Sequence, residues 1–183
     1  MAEVWSLELI TGPARSGKSR WAEHLAHCSR RPVHYLATGP LLPDDPTWQQ
    51  RLARHRSRRP AHWHCLEVGE QLASALMVLP PDHLALVDSL GTWVSWGLEL
   101  EEQPWRQQVD LLLASLAACP GPVLLVSEQT GWGVVPPTAV GGRFRDRLGA
   151  LEEQLSGHCR HLWLVVAGRA IDLLTVSEPV PGC

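Results

Sequence analysis

The chain has 183 residues, of which 45% are hydrophobic and 19% charged, and a net charge of −3. These values suit one soluble globular domain spanning 1–183, and they argue against a basic protein that coats nucleic acid. No apolar run approaches the length of a membrane span, and the opening Met-Ala-Glu-Val-Trp has no basic flank of a secretory signal.

The first element expected is a strand over Val4–Ile10, an apolar run. It leads directly into Gly-Pro-Ala-Arg-Ser-Gly-Lys-Ser at residues 12–19, which fits the phosphate-binding pattern G-x-x-x-x-G-K-[ST]. A helical stretch begins near Lys18, with Trp21, Leu25 and Cys28 on one face. Strand, glycine loop and helix together aim backbone N–H groups and a helix N-terminus at an anion. Gly12 and Gly17 permit the close approach and unusual φ that such a loop needs. Lys18 is placed to reach the β- and γ-phosphates of a nucleotide, and the Ser19 hydroxyl to ligate Mg²⁺.

Further strands are expected over Val33–Thr38, Leu84–Asp88, Val123–Ser127 and Leu162–Ala167, with a weaker one over His62–Val68. Helical patterns fall at Thr47–Ser57, which is basic, and at Gln71–Leu79, Trp105–Ala118 and Arg143–Leu155. This alternation predicts an α/β fold of the P-loop NTPase-like kind, with a mostly parallel central sheet and helices on both faces. The tail Ser177–Cys183, with its prolines and glycine, is expected to be loose. The nine tryptophans, beside a single Phe and a single Tyr, read as core and interface filling. Cys28, Cys65, Cys119, Cys159 and Cys183 are scattered and form no C-x-x-C pair. They predict neither a disulfide framework nor a zinc site, and a cytoplasmic location is the simplest one. His62 and His64 share a strand face but have no evident third ligand, which also argues against zinc.

The stretch from Arg51 to Glu67 sets His55 among Arg51, Arg54, Arg56, Arg58 and Arg59. Neighbouring cations disfavour imidazolium, so this histidine tends toward the neutral, nucleophilic form, and the same arginines attract a triphosphate. A histidine in such a setting can attack phosphorus covalently. From the residues alone, a solvated basic helix face with an incidental histidine fits somewhat better. Asp88, at the end of an apolar strand, either helps hold Mg²⁺ or caps the segment after it. Glu67 on its own would pass as an ordinary surface carboxylate.

The ordered set of motifs resembles the adenosylcobinamide kinase/adenosylcobinamide-phosphate guanylyltransferase family of cobalamin biosynthesis. The residues that carry the resemblance are the phosphate loop, Tyr35-Leu-Ala-Thr38, Arg51-Leu-x-x-His55-Arg and His62-Trp63-x-x-x-Glu67. In order after them come Leu86-Val-Asp88-Ser-Leu-x-x-Trp93-Val, Val126-Ser-x-x-x-Gly131-Trp-Gly133-Val-Val-Pro136, Phe144-Arg-Asp146-x-Leu-Gly149 and Leu164-Val-Val-Ala-Gly168. The resemblance covers nearly the whole chain. It implies phosphorylation of the aminopropanol hydroxyl of adenosylcobinamide by ATP or GTP. GMP then passes from GTP to that phosphate through a guanylylated histidine, with release of pyrophosphate. His55 matches the guanylylated histidine.

By the same resemblance, nucleotide contacts fall on Gly12, Pro13, Ala14, Arg15, Ser16, Gly17, Lys18 and Ser19, on Ala37, Thr38 and Gly39, on Arg56, Ser57, Arg58 and Arg59, and on Glu67 and Asp88. Mg²⁺ falls to Ser19 and Asp88, and a homo-oligomer is implied. The chain departs from the family pattern at Pro13, at Thr47-Trp48 and at Glu128-Gln129, where Asn-Glu is usual. Pro13 removes one loop N–H that could face phosphate. Two other functions would share the phosphate loop: a different small-molecule kinase without the transferase step, and a non-enzymatic nucleotide-dependent regulatory module.

Overall fold

In a computed structural model of the chain, the described residues are 5–133 and 137–181. Val4 of the first expected strand, residues 134–136 of the later loop motif, and Gly182 and Cys183 of the tail lie outside them. So do the side chains of Trp48, Arg51, Arg54, His55 and Arg58.

The strands are β1 (Leu7–Thr11), β2 (Val33–Ala37), β3 (His64–Glu67), β4 (Leu84–Asp88), β5 (Val123–Val126), β6 (His161–Val166) and β7 (Arg169–Asp172). The helices are α1 (Lys18–Cys28), α2 (Pro46–Arg58), α3 (Leu72–Met77), α4 (Leu90–Trp96), α5 (Glu102–Ala118) and α6 (Ala139–Ser156). The strands form a single seven-stranded sheet in the order β3-β2-β4-β5-β1-β6-β7. All neighbours run parallel except β6 and β7. This is the predicted α/β architecture.

Each central strand is apolar on both faces, as a sheet covered by helices on both sides requires. Leu7, Leu9, Ala85, Val87, Val123 and Leu125 pack with residues of α3, α4, α5 and α6 on one face. Ile10, Tyr35, Leu84, Leu86, Leu124 and Val126 pack on the other with Ala22 and Ala26 of α1 and with Trp63. The buried stripe of α1 is thus Ala22 and Ala26. Trp21 and Leu25 lie only part-buried beside it, and Cys28, expected on the same face, is exposed. Small residues let α1 sit close to the sheet, so the phosphate loop feeding it stays near the strand ends. Among the tryptophans, Trp63, Trp93 and Trp105 fill the core, whereas Trp96 and Trp132 are largely exposed.

Two elements were not anticipated. Helix α4 is short, contains a glycine and follows its strand almost at once, so it shows no helical period long enough to read. Thr92 Oγ1 accepts the Ser89 N–H at 3.3 Å to start it. Strand β7 returns antiparallel through Ala167 and Gly168, whose φ values of 51° and 75° make a tight left-handed turn. The expected strand through Ala167 therefore ends at Val166. His62–Val68 does form a strand, shortened to His64–Glu67, on the exposed edge.

Register fixes what gathers at the carboxyl edge. Glu67 pairs with Ala37, Ala37 with Asp88, Asp88 with Val126, and Val126 with Ile10. Parallel strands that end in line build a shared crevice beyond their carboxyl ends, where ligands of open α/β sheets bind.

Candidate functional site

The phosphate loop leaves β1 at Thr11 and enters α1 at Lys18. Gly17 caps the helix with φ 110°. A Cβ on Gly12, where φ is 149°, would lie 2.1 Å from the Val165 carbonyl oxygen, so only glycine fits there. The β6–β7 turn braces the loop from the same side, with Gly168 N–H donating to the Ser16 carbonyl at 3.0 Å. The sequence signal Leu164–Gly168 is thus the far wall of the phosphate loop. Lys18 is buried and its Nζ donates to the Pro13 carbonyl at 2.9 Å. This interaction folds the ammonium over the loop, where incoming phosphate oxygens would compete for it. Ser19 lies in the first turn of α1 and is part-buried. Ala14 and Arg15 are exposed at the tip, with Arg15 at φ 60°.

At the end of β4, the Asp88 Oδ2 accepts the Tyr35 hydroxyl at 2.5 Å. Tyr35 is buried in the core below, and the Arg59 guanidinium sits 3.4 Å above its ring centroid. Burial first, and then the Asp88 charge, hold the phenol far above its ordinary range, with Arg59 opposing, so it stays a donor. Ring and hydroxyl together connect the arginine segment after α2 with the carboxylate at the end of β4.

Thr38 is fully buried and its polar groups are used inside the protein. Its hydroxyl donates to the Ser89 carbonyl at 2.6 Å, its N–H to the Asp88 carbonyl at 3.4 Å, and its carbonyl accepts the Trp96 indole N–H at 2.7 Å. The Ala37 carbonyl accepts the Val68 N–H at 2.8 Å. Of the trio Ala37, Thr38 and Gly39, Gly39 alone is part-exposed.

On α2, Arg56 Nη2 donates to Glu67 Oε1 at 2.9 Å. Both side chains are solvent-exposed in part, so the pair adds only about 0–1 kcal/mol of stability. It links the helix bearing His55 to the carboxyl end of β3. Ser57 is exposed on the same helix, and Arg59 follows it.

Two carboxylates that were not marked as functional lie beside the loop. Glu128 accepts Ser89 Oγ at 2.5 Å on one oxygen and the Gly91 N–H at 3.0 Å on the other. A Cβ on Gly91 would stand 2.2 Å from that second oxygen, so α4 carries glycine to admit the carboxylate. Burial pushes the Glu128 carboxyl up, Asp88 adds to this, and Ser89, Lys18 and the Gly91 N–H oppose it. Glu152 of α6 accepts Thr11 Oγ1 at 2.7 Å and Gln129 Nε2 at 2.6 Å. Burial raises it too, against the hydrogen bonds from Thr11 and Gln129 and the charge of Lys18. The departure at Glu128-Gln129 thus supplies one part-buried acid and one amide bridge. The signals in the sequence were that departure and its place just after β5.

The residues present suit a hard divalent cation. Ser19 and Asp88 offer oxygen donors, which Mg²⁺ prefers, and it keeps several waters and phosphate ligands of its own. Among the described residues, no group of three or more His, Cys, Asp and Glu could hold a metal alone. His34, His64 and His83 do cluster, with His34 Nε2 and His83 Nδ1 at 2.7 Å, but at the opposite ends of their strands from Asp88.

Residues 8–173 match the family model described as cobinamide kinase / cobinamide phosphate guanyltransferase. The chain is 40% identical over 169 residues to the bifunctional adenosylcobalamin biosynthesis protein CobP of Pseudomonas aeruginosa, covering 91% of this chain and 96% of that one. It is 32% identical over 180 residues to the bifunctional adenosylcobalamin biosynthesis protein CobU of Escherichia coli, covering 90% and 98% respectively. Among solved structures, a structural-genomics protein of Pyrococcus horikoshii superposes with a TM-score of 0.57 at 8% identity, over 99% of this chain and 92% of that one. This last likeness concerns the fold alone.

Proposed function

The chain belongs to the cobinamide kinase / cobinamide phosphate guanylyltransferase family, and on that premise we propose that both reactions run on one nucleotide platform at the carboxyl edge of the sheet. It is a bifunctional kinase and guanylyltransferase of adenosylcobalamin biosynthesis. In our assignment, residues Gly12 to Ser19 cradle the phosphates, with Lys18 as the cation that balances charge developing on the γ-phosphoryl group. Gly39, Arg56, Ser57, Arg58, Arg59 and Glu67 flank the nucleoside side. Ala37 and Thr38 shape that wall from within.

In the kinase step the acceptor hydroxyl oxygen bonds to the γ-phosphorus as the bond to the bridging oxygen breaks; the nucleoside diphosphate leaves and the hydroxyl proton passes to solvent water. In the transferase step an imidazole nitrogen of His55 bonds to the α-phosphorus of GTP and pyrophosphate leaves. An oxygen of cobinamide phosphate then displaces the imidazole, so one hard displacement becomes two easier ones. Mg²⁺ held by Ser19 and Asp88 would supply charge neutralisation along the phosphates. Tyr35 keeps the Asp88 carboxylate turned to a fixed side through its hydroxyl.

The observation that carries this reading is the Arg56–Glu67 hydrogen bond, which links the helix bearing His55 to the end of β3, on the same carboxyl edge of the sheet where β1 leads into the phosphate loop. We further assign adenosylcobinamide as acceptor, a single domain and a cytoplasmic homo-oligomer. Free Cys28, Cys65, Cys119 and Cys159 support a reducing compartment, and the exposed apolar Trp96, Leu111 and Trp132 support assembly. No helix among the described residues is long and apolar enough to cross a membrane.

The test is incubation with Mg²⁺ and GTP labelled at the α-phosphate. Wild-type protein gains acid-labile, base-stable label, and His55→Asn gains none while still phosphorylating cobinamide. Label on His55→Asn would place the nucleophile elsewhere.

A further inference from the structure

A cavity of about 350 Å³ lies between the loop after β5 and helix α6. Glu128, Gln129, Thr130 and Gly131 form one wall, and Arg145, Asp146, Gly149 and Glu152 the other. It adjoins the phosphate loop: Gln129 N–H donates to the Gly12 carbonyl at 3.0 Å, and Glu152 and Gln129 both bond Thr11, the last residue before that loop. Nothing in the nucleotide platform above uses this cavity. Yet it accounts for two stretches of sequence that the phosphate loop leaves unexplained, one ending in Gly131 and one running from Arg145 to Gly149.

We propose that this cavity is the acceptor site of the kinase step, which takes the hydroxyl-bearing arm of cobinamide and presents its oxygen to the γ-phosphate. The inference rests on the family reading and deepens it. Three arguments carry it.

The first is charge. Glu128, Asp146 and Glu152 line the walls, and the one cation, Arg145, is paired with Asp146 at 3.0 Å. An acidic cavity repels a triphosphate and suits an uncharged alcohol and its amides. The second is reach. A phosphoryl acceptor must sit about 3 to 3.5 Å from phosphorus, so its pocket has to adjoin the phosphate loop, as this one does through Gln129 and its bond to Gly12. The third is rigidity. Arg147 Nη1 and Nη2 donate to the Gly97 and Leu100 carbonyls at 2.6 and 2.7 Å, which clamps α6 and keeps the wall in place.

Gly149 makes the proposal testable without damage to the fold. A Cβ built there meets no atom within 4 Å, and a larger side chain would grow into the cavity. Gly142 of the same helix is equally open and does not line the cavity, so it serves as the control. Both replacements put a better helix former in place of glycine.

The experiment compares wild type, Gly149→Leu and Gly142→Leu. It measures the KM for cobinamide in the kinase assay, the Kd for GTP, and the yield of protein-bound GMP. The expected result is a rise in the cobinamide KM of roughly tenfold or more for Gly149→Leu. Its GTP affinity and GMP adduct stay at wild-type levels, and Gly142→Leu matches wild type throughout. An unchanged cobinamide KM in Gly149→Leu would overturn the proposal, and so would parallel losses of GTP binding and adduct. Wild-type protein that neither phosphorylates cobinamide nor forms the adduct would overturn the family activity itself, and the acceptor site with it.

Discussion

Replacing Tyr35 with Phe removes one oxygen atom and nothing else. The ring stays in the core, and Arg59 keeps its 3.4 Å seat over it. What disappears is a hydroxyl that is 1% exposed as a residue and donates at 2.5 Å to Asp88 Oδ2. A hydrogen bond to a charged acceptor contributes about 1.5–3 kcal/mol. Asp88 is only part-buried, so water recovers some of this, and a net loss of about 1–2 kcal/mol is expected. For a chain of this size each kcal/mol lowers Tm by about 2–4 °C, so the expected drop is about 2–8 °C. The same energy, if spent on holding the carboxylate in its productive orientation, raises the apparent KM for Mg²⁺ by about 5- to 30-fold. Thermal unfolding and a Mg²⁺ titration of the kinase reaction read the two effects separately. A variant with wild-type Tm and wild-type Mg²⁺ dependence would refute the claim that Tyr35 positions Asp88. A lower Tm with unchanged Mg²⁺ dependence would confine the bond to stability.

Lys18→Ala should weaken triphosphate binding and suppress kinase and guanylyltransferase turnover together, because both depend on the same phosphate cradle; wild-type turnover in either assay would remove the loop lysine from that step. His34 has its pKa lowered by burial and by the nearby His83 and His64, so the unfolded chain binds the proton more readily. Stability from this site is therefore present above the ordinary value of 6.5 and is lost as pH falls through and below it. His34→Phe should then lose less stability than wild type between neutral pH and about pH 5.5, as followed by urea denaturation at each pH. Identical pH dependence in the two proteins would contradict this account of the cluster.

Local pattern made much of the molecule legible. The apolar runs at Val33, Leu84 and Val123 are buried on both faces, and that signature survives in a short window of sequence. The phosphate loop could be read because its glycines answer local backbone demands at Gly12 and Gly17. The tertiary structure decided the rest, since strand order is not written in any window. Glu67, Asp88 and Thr11 are far apart in the chain and share one sheet edge only because β3, β2, β4, β5 and β1 are neighbours with aligned carboxyl ends. Glu128 is only a departure from the family pattern in the sequence; the structure gives it Ser89, at the cap of α4, and Gly91, in its first turn, as partners. Helix α4 itself, with Gly91 in its first turn, was invisible because that glycine answers to a carboxylate 37 residues away rather than to the helix. Thr38, matched as a nucleotide neighbour, has its polar groups taken up by Asp88, Ser89 and Trp96. Sequence determined the chemistry the chain carries, because residue type and short spacing set it. Only the fold determined which of those groups face one another, because the contacts that aim them close long loops of chain.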